Sequence, residues 1–193
     1  MNVIDQKLAL EKLNSGSPIV FQTDTLPAIG CLPKFSEIIY KIKKRDKKKP
    51  LILMAGQNNQ FDEFVHESAL IDYKYMSSQY WPGPLTMIIP ISEEKKSLFS
   101  SNDFTLGLRI PNSRMAKLLL KESGPLLTSS ANISGLPTAT SAKEISISLP
   151  NVNILGPVPW ENCSGNASTI ISWANPGKWK IIREGEISIK GIN

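Results

Sequence analysis

The sequence predicts an α/β fold, a single domain built around a mostly buried, mixed β-sheet flanked by helices. Short apolar runs bounded by Gly, Pro and polar turn residues alternate with segments of helical apolar spacing along the chain. No repeat or low-complexity linker interrupts them, and 193 residues can bury one full core, so a separate second domain is not expected. The segment Gly124 to Gly135 sets five hydroxyl or amide side chains and a glycine straight after a short apolar run. A buried strand there places a polar cluster at its C-terminal end, where open α/β sheets hold their ligands, and small donors of this kind suit phosphate or ribose oxygens.

The elements follow in order. Ile4 to Leu13 has the spacing of an amphipathic helix, and Pro18 to Gln22 that of a strand. The polar turn Thr23-Asp24-Thr25-Leu26-Pro27 leads into a short strand, Ala28 to Leu32. Phe35 to Ile42 repeats apolar groups at helical intervals, so Lys43 and Arg45 are expected to leave its end together; Pro50 then launches the strand Leu51 to Met54. Helices follow around Phe61 to Phe64 and Ser68 to Gln79. Trp81-Pro82-Gly83-Pro84 reads as a rigid turn, core and corner rather than ligand contact, before the strand Leu85 to Ile89. Thr105 to Ile110 is a further strand and Arg114 to Lys121 a helix ended by Gly124-Pro125. A helix near Ser141 to Ser148 and strands near Val152 to Leu155, Ser168 to Ile171 and Trp179 to Ile182 complete the alternation.

Composition excludes several classes. Residues 1–6 lack a positive segment leading into a long apolar one, and no stretch approaches the roughly 20 apolar residues that span a bilayer. A soluble, cytoplasmic protein without membrane contact is expected. Cys31 and Cys163 are too few and too far apart for a disulfide scaffold or a metal site, and read as buried free thiols. His66 is the only histidine, with no nucleophile, metal or relay pattern beside it, which argues against Ser-His-Asp and zinc hydrolases.

The net charge of +5 has one source. Seven basic residues and one acid lie between Lys41 and Lys49, leaving 15 basic and 16 acidic residues elsewhere. Such a run reads as a solvated helix end with cations near the negative dipole, as an anion cradle for polyphosphate or nucleic acid, or as both. Lys44, Lys47 and Lys48 suit general electrostatics; with no interleaved aromatics they offer no stacking platform for sequence-specific RNA reading.

Five landmarks resemble, in order and spacing, the Sua5/YciO/YrdC/TsaC family. They are Thr23-Asp24-Thr25, Lys43-Lys44-Arg45 running to Lys49-Pro50-Leu51, Trp81 to Thr86, Arg109-Ile110-Pro111, and Ser130-Ala131-Asn132 with Ser134-Gly135. A sixth, Ser168-Thr169 followed by Arg183-Glu184-Gly185, extends the match to about residues 20–185. The resemblance implies a twisted fold of the YrdC-like, DHBP-synthase-like kind with a large, basic, concave cavity, in the short form without the additional C-terminal domain of longer Sua5 proteins.

It also implies a reaction. Threonine and bicarbonate give N-carboxythreonine, whose carboxylate attacks the α-phosphorus of ATP and expels pyrophosphate, yielding threonylcarbamoyl-AMP for modification of tRNA adenosine 37. The nucleophile is already an anion, so catalysis rests on positioning and charge neutralisation rather than on a strong base. By resemblance, Lys43 and Arg45 are the catalytic phosphate ligands, Ser130, Asn132, Thr138 and Arg183 complete the ATP site, and Thr23, Thr25, Arg109 and Ser168 surround threonine. Mg2+ arrives with ATP, with no dedicated protein metal site. The implied partners are ATP, L-threonine and bicarbonate, tRNA or double-stranded RNA through the Lys41 to Lys49 cluster, and the threonylcarbamoyl-transferase proteins that consume the product.

Structural roles compete for some of these residues. Arg109 at a strand end also suits a buried partner for an acid, and Ser130 and Asn132 also suit a helix cap or Asx turn. The chain departs from the family pattern at Pro27 and Ala28, at Asp46, at Met54 and Ser113 where relatives carry histidine, and at Ala167 where glutamate is frequent. These changes spare the basic phosphate ligands and fall around the amino-acid side. The alternative reading is a YciO-like paralogue that binds nucleotide or RNA with weak or no synthase activity.

Overall fold

The computed structural model describes residues 1–98, 104–161 and 163–192. Among these residues ten strands form one sheet: β1 (Val3–Ile4), β2 (Ile19–Phe21), β3 (Ala28–Cys31), β4 (Ile52–Met54), β5 (Leu85–Pro90), β6 (Thr105–Arg109), β7 (Leu126–Ser130), β8 (Asn153–Leu155), β9 (Thr169–Asn175) and β10 (Lys178–Arg183). The spatial order is β1-β8-β2-β3-β7-β4-β6-β5-β9-β10. The β1/β8, β2/β8, β4/β6 and β5/β9 pairs are parallel and the others antiparallel, so the expected mixed sheet is present. The helices are α1 (Gln6–Asn14), α2 (Glu37–Lys43), α3 (Leu70–Tyr80), α4 (Arg114–Ser123) and α5 (Ala142–Ser148).

Strand side chains alternate between two faces, and here each face has its own core. Val20, Ile29, Leu53, Met87, Leu108, Leu127 and Ile171 join Ile39 of α2, Tyr73 and Met76 of α3 and Ile145 of α5 on one side. Ile19, Phe21 and Leu126 join Ala9 and Leu13 of α1 and Ala116, Leu119 and Leu120 of α4 on the other. Full burial of a leucine such as Leu119 or Leu120 contributes about 1.5–3 kcal/mol. Helices α1 and α4 cover only part of their face, and the uncovered part carries the candidate site.

Local differences from the sequence reading have local causes. Val3–Ile4 is an edge strand on β8, and α1 starts after Asp5, whose carboxylate accepts the Leu8 N–H at 2.8 Å as an N-cap. The segment expected as a helix around Phe61 to Phe64 is a 3₁₀ turn at Asn58–Phe61, and a second one at Glu67–Ala69 precedes α3. The β9–β10 hairpin runs longer than expected because Asp72 Oδ2 on α3 accepts both Trp173 Nε1–H, at 2.7 Å, and Gly177 N–H, at 2.8 Å. Cys31 is buried, which pushes its thiol up to about 12; Cys163 is only half-buried, since it lies on the connection from β8 to β9 rather than in the core. Trp81 is core and corner as expected, packed on Phe61 and Tyr73 with its Nε1–H donated to Leu85 O at 2.7 Å.

Candidate active site

A cavity of about 400 Å³ lies against the uncovered sheet face. Its floor is set mainly by alternate strand residues, namely Ala28 of β3, Ile52 and Met54 of β4, Thr86 and Ile88 of β5, Gly107 and Arg109 of β6, and Thr128 and Ser130 of β7, with Ser129 between the last two also on the lining. The cavity therefore lies on the sheet face and not beyond the end of one strand. The sequence expectation placed the polar cluster after the apolar run, but pairing with β3 carries β7 through Ser130, so Thr128 and Ser130 are strand residues.

Six of the expected site residues line this cavity: Thr25, Arg45, Arg109, Ser130, Ser168 and Arg183. Arg109 is 3% exposed and makes both of its anticipated uses possible. Its Nη2 pairs with Asp24 Oδ1 at 2.7 Å, Nη1 donates to Thr25 Oγ1 at 2.8 Å and Nε to Gly83 O at 3.1 Å. Those bonds engage three of the five guanidinium N–H groups and leave two for a ligand. Burial, with Arg183 nearby, pushes Arg109 below its ordinary range, while Asp24 opposes the shift. Asp24 is anchored in turn by the connection after β8: its carbonyl accepts Ser164 N–H at 3.2 Å, and Thr25 O accepts Gly165 N–H at 3.2 Å. Thr23 stands behind Thr25, with the two hydroxyls 3.1 Å apart. Its own hydroxyl donates to Leu26 O at 2.8 Å and accepts Thr25 N–H at 3.1 Å, which fixes the turn.

Arg183 and Ser168 form a unit on the opposite wall. Arg183 donates to Ser168 O from Nε at 3.2 Å and from Nη2 at 2.8 Å. The Ser168 hydroxyl lies 2.9 Å from that of Thr86. Gly185 permits this closeness, since a Cβ there would meet Ala167 O at 2.3 Å and Ser168 O at 2.6 Å. On the third wall Arg45 donates from Nε to Lys49 O at 3.0 Å and from Nη2 to Pro50 O at 2.9 Å. The cavity thus receives three guanidinium groups, and no carboxylate stands among the described lining residues.

Lys43 and Arg45 part company, which corrects the expectation that they leave α2 together. Lys44 adopts the left-handed conformation (φ 50) and closes a Schellman cap, with Arg45 N–H on Tyr40 O at 2.9 Å and Lys44 N–H on Lys41 O at 3.3 Å. The reversal sends Arg45 to the cavity and leaves Lys43 inside, 1% exposed. Lys43 Nζ donates to Ser130 O, to Asn132 O at 2.5 Å and to Asn132 Oδ1 at 3.1 Å. Burial first, and Arg45 second, lower its ammonium to about 8.

Asn132 lies outside the cavity lining and acts as the expected turn former: Oδ1 accepts the Ser130 hydroxyl at 2.6 Å, and Nδ2 donates to Ile133 O at 3.0 Å and Leu136 O at 2.7 Å. Thr138, on the connection from β7 to α5, is also outside the lining. Sequence reasoning missed Asp24 and Thr86 as site residues, although both stand inside quoted landmarks. Three departures, Ala28, Met54 and Ala167, line the cavity; Ser113 instead caps α4 by accepting Ala116 N–H at 3.3 Å. The lysines at 41, 44, 47, 48 and 49 are exposed at the end of α2, and Lys47 pairs with Glu37 at 2.7 Å.

The Sua5/YciO/YrdC family model, described as telomere recombination, matches residues 11–185. The threonylcarbamoyl-AMP synthase of Bos taurus is 31% identical over 196 residues, covering 93% of this chain and 67% of that protein. P. abyssi Sua5 complexed with L-threonine superposes with a TM-score of 0.85 at 24% identity, over 96% of this chain; the chain spans 58% of that one. E. coli YciO superposes with a TM-score of 0.81 at 24% identity, over 98% of this chain and 97% of its own.

Proposed function

The chain belongs to the Sua5/YciO/YrdC family, and from that premise we propose that it is an ATP-dependent threonylcarbamoyl-AMP synthase, a nucleotidyltransferase acting in the cytoplasm on the pathway to threonylcarbamoyl-modified tRNA. The observation that carries the reading is the convergence of Arg45, Arg109 and Arg183 on one cavity of about 400 Å³, a size ordinary for small-molecule sites. A relative sharing 31% of its residues is named for this activity.

Arg109, with two N–H groups to spare, receives the threonine carboxylate beside Thr25 and Ser168, and Thr23 holds Thr25 in place. Arg45 and Arg183 face the phosphates, with Ser130, the Asn132 turn and Thr138 on the nucleoside side. The threonine amine forms a bond to the bicarbonate carbon, a carbon–oxygen bond breaks and water leaves, giving an N-carboxylate. One of its oxygens forms a bond to the α-phosphorus as the bridge to the β-phosphate breaks, and pyrophosphate leaves. No proton has to be taken from the nucleophile, and fixed guanidinium groups stabilise the charge that builds on the phosphates. In this reading Mg2+ enters with the triphosphate, whose oxygens it coordinates. The exposed lysines at the end of α2 offer a salt-sensitive contact to RNA phosphates, and the adenylate passes to threonylcarbamoyl-transferase proteins. Among the described residues no helix is long and apolar enough to cross a membrane.

Pyrophosphate release by the purified protein with Mg-ATP and bicarbonate tests the proposal. Release that requires L-threonine, exceeds that with serine and is lost in Arg45→Ala is expected; release indifferent to threonine contradicts it.

A further inference from the structure

We infer that Lys43 serves the nucleotide as a positioning residue, bolting the turn that presents Ser130 to the cavity, and that Arg45 alone of this pair touches phosphate; the inference rests on the synthase reading of the cavity. Three observations carry it. The first is donor count: an ammonium has three N–H groups, and the three acceptors around Lys43 Nζ, namely Ser130 O, Asn132 O and Asn132 Oδ1, engage them all. The second is reciprocity, because Lys43 O accepts Ser134 N–H at 2.8 Å, so the same residue grips the turn from both its main chain and its side chain. The third is placement. Lys43 is 1% exposed and absent from the cavity wall, whereas Arg45 lines it with two of its donors on Lys49 O and Pro50 O.

Turning Lys43 toward a phosphate would withdraw a donor from Ser130 O, Asn132 O and Asn132 Oδ1 at once, and buried acceptors resist that loss. Ser130 depends on the same turn, since its hydroxyl is committed to Asn132 Oδ1 at 2.6 Å, and Ala131 N–H is held on Pro27 O at 2.8 Å. The charge on Lys43 thus acts on ligands through the shape of residues 130–134.

A double-mutant cycle on Mg-ATP affinity, measured by calorimetry, separates the two roles. Lys43→Met is expected to weaken Mg-ATP about tenfold, and adding Ser130→Ala to it to cost less than a further twofold, because the serine has already lost its position. Lys43→Met combined with Arg45→Ala is expected to multiply the two single effects. Multiplying effects for Lys43→Met with Ser130→Ala, as independent ligands give, overturn the inference. If Lys43→Met does not fold, Lys43→Gln replaces it in the same cycle with Ser130→Ala: a further loss below twofold supports the inference, and multiplying effects overturn it. Reductive methylation of the unaltered protein needs no variant. Lys43 resisting a reagent that labels Lys44 and Lys47 supports the bolt, and equal labelling overturns it. Wild-type protein that binds no Mg-ATP, yet keeps Lys43 unlabelled, overturns the synthase reading and leaves the bolt standing as architecture.

Discussion

The hydroxyl of Thr86 on β5 lies 2.9 Å from the hydroxyl of Ser168 immediately before β9, with Thr86 1% and Ser168 4% exposed. The contact joins two strands that pair in parallel, Thr86 opposite Ile170, and it fixes the serine whose carbonyl holds Arg183. Thr86→Val keeps the shape and removes the hydroxyl. We expect a loss of about 1–2 kcal/mol in urea unfolding and a higher KM for threonine with a smaller change in kcat, because Ser168 keeps its backbone hold on Arg183 but loses its hydroxyl's orientation.

Asp24 balances the buried charge of Arg109, with side chains 15% and 4% exposed. Removing one member of such a pair strands the other. Asp24→Ala should cost about 3 kcal/mol or more in unfolding free energy, measured by denaturant titration, and Asp24→Asn less, because the amide oxygen can still accept from Arg109 Nη2.

Lys43 gives stability a pH dependence of calculable sign. Its ammonium, lowered to about 8 by burial from 10.5, releases its proton in the folded protein before it does in the unfolded chain. Between those values the unfolded chain binds more protons, so this residue's contribution raises stability as pH climbs from 8 towards 10.5. Wild-type protein should therefore gain on Lys43→Met in unfolding free energy across that interval, read from paired urea titrations at pH 7.5 and about 10.

Lys44 carries the positive φ of the α2 cap, a conformation that costs residues other than glycine. Lys44→Gly should raise the unfolding free energy by about 0.5 kcal/mol, net of the added freedom of the unfolded chain, and leave threonine-dependent turnover intact.

The sequence announced most of the sheet because apolar runs such as Leu85 to Ile89 and Leu126-Leu127 have few other uses. It also assembled the site by landmark order, and Thr25, Arg45, Arg109, Ser130, Ser168 and Arg183 do meet on one cavity. What it concealed depends on register and handedness. Whether Thr128 faces the cavity follows from its pairing with Gly30 and Ile52, which no linear pattern states. The separation of Lys43 from Arg45 turns on one left-handed residue, Lys44, at which a lysine gives no conformational signal. Edge strand β1 was hidden because Ile4 fits the helical period as well as a strand, and only Asp5, as cap, marks the boundary.

The reaction proposed for this cavity joins threonine, bicarbonate and ATP. Incubating the protein with Mg-ATP, ¹³C-bicarbonate and L-threonine and identifying the nucleotide product by mass tests it most directly. Threonylcarbamoyl-AMP carrying one ¹³C, formed with pyrophosphate and abolished by Arg45→Ala, is expected. Unlabelled AMP or ADP as the sole product, unaffected by threonine, would contradict it.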